Sequence, residues 1–234
     1  MDEKQVITEV VEGNQAGVGS HLAFKRDDIG AMEDSVDREV SVYALDAVQS
    51  IHDVHQSQFK SATGGQPHVE TLRVMHCSQL TELRGLHLFP NLVELNASSN
   101  SVLTMSGLES LQRLTNLNLS CNKITQIFAM ANVARTLKVL NLSHNRIVSL
   151  NPLGEFAEIA ALEVLDLTDN YIGELANIRH LSKFAHLSQL SFQKAGDASK
   201  GSNPICDFVN YRDTVQMYLP RLAWLDGSSA QGDG

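Results

Sequence analysis

Nine-residue strings of one form recur five times: VETLRVMHC from Val69, LVELNASSN from Leu92, LTNLNLSCN from Leu114, LKVLNLSHN from Leu137 and LEVLDLTDN from Leu162. A sixth, LSQLSF from Leu187, starts the same way and then departs. Successive starts are 23, 22, 23, 25 and 25 residues apart. Four of the five strings end in Asn, at Asn100, Asn122, Asn145 and Asn170, and the first ends in Cys77. One such string arises readily by chance. Five in phase, with an Asn at a fixed offset, restrict the fold more than any other feature of the chain. A unit of about 20–29 residues cannot bury its apolar side alone, so the units must stack into one continuous core with capped ends.

Each position has a physical reading. The L-x-L segment is a short strand whose side chains alternate between two faces. Leu117 and Leu119, Leu140 and Leu142, and Leu165 and Leu167 then point inward. The Asn stands where the chain turns, and its amide can satisfy turn backbone groups that would cost about 1–3 kcal/mol each if buried unpaired. Beyond it come Ile124 and Ile127, Ile147 and Leu150, and Ile172 and Leu175, each pair three apart, then an apolar set such as Leu153, Phe156 and Ile159. That spacing suits helical or 3₁₀ turns on an outer face. The expectation is an α/β, right-handed solenoid with a parallel concave sheet and a helical or 3₁₀ convex side.

Alternation also predicts the open face of the sheet. Its positions are Thr71, Arg73 and Met75; Glu94, Asn96 and Ser98; Asn116, Asn118 and Ser120; Val139, Asn141 and Ser143; Val164, Asp166 and Thr168; and Gln189, Ser191 and Gln193. The candidate partner-binding residues are Arg73, Met75, Glu94, Asn96, Asn116, Asn118, Val139, Asn141, Val164, Asp166 and Gln189. Met75, Val139 and Val164 are the apolar anchors among them. For Asn96, Asn118 and Asn141 the competing reading is a structural one, bridging neighbouring strands.

The ends read differently. Val40, Tyr43, Ala47, Ile51 and Val54 step by three or four, which favours an amphipathic helix capping the first repeat; a degenerate strand around Val42–Ala47 is the competing reading. This divides the chain into an acidic arm at 1–35, a cap helix and linker at 36–68, and repeats at 69–193. An inserted loop at 194–202, a C-terminal cap at 203–227 and a loose tail at 228–234 follow. Phe208, Tyr211, Val215 and Leu219 predict a helix ended by Pro220, with Trp224 available to seal the open apolar end. Residues 1–60 carry 12 acidic against 5 basic residues, and the remainder 15 against 13. That balance gives no electrostatic footprint for nucleic acid. No run approaches 18 apolar residues, and the acidic start MDEKQVITEV does not read as a secretory signal. Three cysteines without C-x-x-C spacing suit a reducing compartment.

The closing segment carries a resemblance. Asn203, Pro204, Cys206, Tyr211, Arg212, Val215, Leu219, Pro220, Leu222, Leu225, Asp226 and Gly227 match the form N-P-x-C…Y-R-x-x-V…L-P-x-L-x-x-L-D-G. That form closes SDS-type leucine-rich repeats, and the chain resembles this family over about residues 69–227. It departs at 194–202, because the family usually enters N-P-x-C directly after the last strand. The resemblance implies a non-enzymatic protein-interaction scaffold. It is similar first to axonemal and centrosomal leucine-rich proteins, the outer-arm dynein light chain among them, and so implies a cytoplasmic, ciliary or cytoskeletal place. Relatives that regulate a phosphatase or act as splicing adaptors are the alternatives. No cofactor is called for, and the expected partner is a protein, with the chain monomeric inside a larger complex.

Catalysis has no constellation to rest on: phosphate loop, nucleophile elbow and H-E-x-x-H are all missing. Cys121, His144 and Asp169 share the slot before the turn Asn and are zinc-ligand types. That slot varies freely in such repeats, so no metal site is assigned.

Overall fold

The computed structural model describes residues 38–59, 68–128, 133, 135–155, 161–195 and 201–231. All lie in one compact unit, Val36–Gly234. The arm at 1–35, the linker residues 63–67, Phe156, Ile159, the centre of the inserted loop and residues 232–234 lie outside the described residues.

Among the described residues nine strands form one sheet in chain order: β1 (Glu39–Tyr43), β2 (Thr71–Met75), β3 (Glu94–Asn96), β4 (Asn116–Asn118), β5 (Val139–Asn141), β6 (Val164–Asp166), β7 (Gln189–Ser191), β8 (Trp224–Leu225) and β9 (Ser228–Ser229). Every pairing from β1 to β8 is parallel, and β8–β9 is antiparallel. The register aligns Val40, Leu72, Leu95, Leu117, Leu140, Leu165, Leu190 and Leu225 across the sheet. From Leu72 onward this row is buried, and a second buried row runs through Val74, Ala97, Leu119, Leu142, Leu167 and Phe192. Each such side chain contributes about 1.5–3 kcal/mol by leaving water. Opposite the sheet, 3₁₀ turns at Leu86–Leu88, Leu108–Ser110, Asn151–Glu155, Leu175–Lys183 and Pro204–Asp207 return the chain. These turns are wider than the strand spacing, so the sheet is the inner, concave side of a leucine-rich-repeat solenoid. Gly85 and Gly107 begin two of the turns at φ of +109° and +108°. A Cβ at Gly85 would collide with the His52 backbone, and one at Gly107 would sit 2.7 Å from the Leu83 carbonyl oxygen.

The turn asparagines tie each repeat to the one before it. Asn145 Oδ1 accepts from Ile124 N–H at 3.0 Å, while its Nδ2 donates to Leu119 O at 2.9 Å and to its own Leu142 O at 3.0 Å. Asn100, Asn122 and Asn170 repeat the pattern, accepting from Cys77, Val102 and Ile147 N–H. The residue just before each Asn, and before Cys77 in the first repeat, takes a left-handed conformation: His76, Ser99, Cys121, His144 and Asp169 all have φ between 54° and 58°.

The ends differ from expectation in four respects. The single helix expected over Val40–Val54 is divided: Glu39–Tyr43 is a strand, and only Ile51–Gln58 is helical (α1). The exposed edge of β2 offers five residues of backbone to pair, and β1 takes all five. Asp53 holds the α1 N-terminus, accepting from Ser50 N–H at 2.8 Å and Gln49 N–H at 3.0 Å. At the other end the helix begins later than Phe208, at Tyr211–Tyr218 (α2), and Phe208 is half exposed. Trp224 does not seal the core. Leu225, its neighbour in β8, points inward with Leu222, Val215 and Tyr211, so alternation turns the indole outward. The start of the expected loose tail is β9, which pairs Ser229 with Trp224.

Asn145→Ala strands the buried Ile124 N–H, whereas Leu119 O and Leu142 O keep the amides of Asn122 and Asn170. The expected cost is about 1–3 kcal/mol. Urea unfolding followed by circular dichroism should show that loss, whereas replacing the exposed Thr125 should leave the midpoint within about 0.5 kcal/mol of wild type.

Candidate protein-binding face

The concave face consists of three rows that run across the strands. The first is Glu39, Thr71, Glu94, Asn116, Val139, Val164, Gln189 and Trp224. The second contains Ser41, Arg73, Asn96, Asn118, Asn141, Asp166 and Ser191. All eleven sequence-predicted binding residues fall on these rows or, for Met75, beside Tyr43 on the third. The third row is less open than alternation suggests. Ser98 and Ser143 are only 9% and 6% exposed, because the chain is already turning inward there.

The asparagines of the second row have a local task. Asn96, Asn118 and Asn141 each accept the N–H two residues on, from Ser98, Ser120 and Ser143, at 3.1, 3.0 and 2.9 Å. Asp166 does the same with Thr168 N–H at 2.9 Å. These bonds bend each strand end into its turn, and they lie within a repeat rather than between strands. Among the described residues the amide nitrogens of these three Asn have no acceptor, so their donors remain free to bond a partner or water.

Charge is distributed unevenly. At the N-terminal end Arg73 bonds both Glu39 and Glu94, the latter at 3.2 Å. At the edge of the middle strands Lys138 and Glu163 pair at 3.1 Å. Asp166 forms no ion pair among the described residues. His144 Nδ1 and Asp169 Oδ2 meet at 2.6 Å on the turn side of β5 and β6, both about half exposed. Cys121 does not join them: among the described residues no three His, Cys, Asp or Glu side chains form a metal-holding group. A hollow of about 540 Å³ opens at this end, lined by Asp166, Asp169, Gln189, Ser191, Gln193 and Lys194 among others.

The inserted loop acquires a structural explanation. Asn203, thirteen residues after Leu190, occupies the place that Asn170 holds five residues after Leu165. It accepts from Ile172 N–H at 3.0 Å and donates to Leu167 O at 2.8 Å and Phe192 O at 2.7 Å. The insertion therefore falls between a strand and its turn Asn, and its described residues Lys194, Ala195 and Gly201 line the hollow. Asp226 ends the ladder. Its carboxylate accepts from Phe192 N–H at 2.8 Å, Gln193 Nε2 at 3.1 Å and Tyr211 Oη at 3.0 Å.

Burial first, and then the nearby Asp226 carboxylate, push the Tyr211 phenol well above its ordinary range. The same two causes push the Cys206 thiol up to about 12. Burial likewise raises Cys77.

Sequence reasoning missed Trp224 and Tyr43 as concave residues. They are 50% and 49% exposed, at opposite ends of the sheet. Leu222 and Leu225 continue the repeat register, and alternation applied to that register places Trp224 outward, beside Gln189.

Only thiolates react quickly with disulfide reagents. At pH 8 native protein should show one fast thiol, the exposed Cys121, with Cys77 and Cys206 reacting only after unfolding. A Cys121→Ser variant with an unchanged fast phase would contradict this assignment.

The comparisons agree with the geometry. A leucine-rich-repeat family model matches residues 112–172. Dynein axonemal assembly factor 11 of Mus musculus is 31% identical over 160 residues, covering 60% of this chain and 31% of that protein. Leucine-rich repeat-containing protein 56 of Rattus norvegicus is 31% identical over 147 residues, covering 61% and 26%. The chain thus spans less than a third of the length of these relatives. Among solved structures, an internalin of Listeria monocytogenes aligns with a TM-score of 0.54 at 19% identity, over 69% of this chain and 42% of that one. A leucine-rich-repeat protein of Leptospira interrogans aligns with a TM-score of 0.50 at 19% identity, over 75% and 38%. Repeat register, parallel sheet and asparagine ladder together with these matches make the chain a leucine-rich-repeat solenoid, a fold that typically serves as a non-enzymatic scaffold for protein–protein contact.

Proposed function

We propose that the concave sheet binds another protein, and that the chain is an adaptor or structural component of a ciliary or flagellar axoneme or of the complexes that assemble it. The observation carrying the first part is the sheet face itself. It presents short polar side chains with outward amide donors, plus Val139 and Val164 side by side in register. A partner meets little steric obstruction there and finds both hydrogen bonds and an apolar centre. The similarity to a protein named as a dynein axonemal assembly factor supports the second part. The phosphatase and splicing readings have no comparable observation in their favour.

Val139→Arg combined with Val164→Arg places two like charges on adjacent strands of the open face without touching the buried leucine rows. Loss of partner recovery from the native cell, with circular dichroism and melting unchanged, is the expected outcome. Recovery of the same partners would move the main contact to the rim loop or elsewhere on the chain. Fluorescent tagging in a ciliated cell checks the cellular part, with signal along the axoneme or in cytoplasmic dynein-assembly foci expected. A purely nuclear signal would remove it.

A further inference from the structure

The geometry points to an amphipathic helix of a partner protein, lying across the strands on the line Val139–Val164–Trp224 with a Lys or Arg directed at Asp166. This rests on the concave-face reading and adds the secondary structure, the side-chain spacing and the charge of what binds there.

The line is set by register. Val139 pairs with Val164, Val164 with Gln189 and Gln189 with Trp224, so all three apolar residues stand on one row. The chain has a single tryptophan, and it is half exposed although its backbone is held on both sides. Trp224 N–H donates to Ser188 O at 2.9 Å, and β9 pairs along its other edge. A rigid backbone presenting an exposed indole suits an anchoring contact, because little ordering entropy remains to be lost there.

Spacing selects the helix. Neighbouring strands lie about 4.8 Å apart, so Val139 and Val164 are one rung apart, and Val164 and Trp224 are two rungs, or about 10 Å. An α-helix rises about 1.5 Å per residue, which places residues three apart at about 4.5 Å and seven apart at about 10.5 Å. Apolar residues at i, i+3 or i+4, and i+10 or i+11 therefore meet all three positions from one face. An extended segment crossing the strands repeats a side on about 6.6 Å, which misses the one-rung step.

Charge selects the cation. Asp166 adjoins the line, one register row from Val164, and forms no ion pair among the described residues. Lys138 and Glu163 neutralise each other at the strand entrance, and Arg73 is engaged by Glu39 and Glu94 at the far end. The hollow beside Asp166 is also lined by Asp169, Asp226 and Lys194, so its formal charge stays negative. A partner cation on the helix flank is attracted into it.

The test uses the full chain and a library of single helices displayed on a helical scaffold, randomised along one face. Selection should enrich apolar residues at the stated spacing with Lys or Arg on the flank. Trp224→Ala and Asp166→Lys should each weaken the selected helices by about tenfold or more, with the melting temperature unchanged. Recovery of no binder, of binders without that spacing, or of binders indifferent to both variants overturns the inference. The same two variants separate it from the broader reading when applied to the native partner. If the double Val→Arg variant abolishes capture while Trp224→Ala and Asp166→Lys do not, the concave face binds and the helical line is wrong. If none of the variants affects capture, both readings fall.

Discussion

One side-chain amide, repeated, supports this structure. A stacked repeat protein must turn its backbone sharply at the end of each strand, where the turn is covered by neighbouring repeats and water does not reach. Asn suits that place because its amide both accepts and donates. Asn100, Asn122, Asn145, Asn170 and Asn203 each take an N–H from the preceding repeat and return a hydrogen to that repeat's carbonyl. The leucine rows supply most of the stabilisation, but a hydrophobic contact has no direction. The amide ladder sets the phase in which those rows stack.

Such a ladder must stop, and its two ends stop differently. At the N-terminus Cys77 replaces the Asn, and its thiol lies 3.5 Å from Met75 O and interacts with the Leu45 and Ala44 backbone. The preceding repeat is reduced to β1 and α1 and closes with apolar side chains. At the C-terminus a carboxylate takes the last unpaired donors. Asp226 gathers Phe192 N–H, the Gln193 amide and the Tyr211 hydroxyl, and the β8–β9 hairpin covers the last parallel edge. The hairpin that terminates the sheet is also the element that holds Trp224 outward on the concave face.

The open face is shaped by what the ladder leaves available. Side chains of the second row spend one oxygen bending their own strand ends, and the third row sinks into the turn at Ser98 and Ser143. The first row remains the most accessible, and Val139, Val164 and Trp224 stand on it.

The repeats, the parallel sheet, the inward leucines and the outward candidates were legible in the residues, because a solenoid is quasi-one-dimensional. Each unit contacts only its neighbours, so periodicity along the chain becomes register in space. The ends were not legible for the same reason. Val40 fits a helical spacing with Tyr43 and Ala47 as well as an alternating one with Val42, and only the unpaired edge of β2 decides between them. Asn203 reads as the start of a cap, yet it is the fifth rung of the ladder, thirteen residues after its strand leucine where Asn170 follows its own by five. Trp224 reads as a plug for the core, and its neighbour Leu225 takes that place instead. What the sequence by itself determined was every contact that repeats. What tertiary structure alone decided was every contact made once, at an edge, where no neighbouring repeat supplies the pattern.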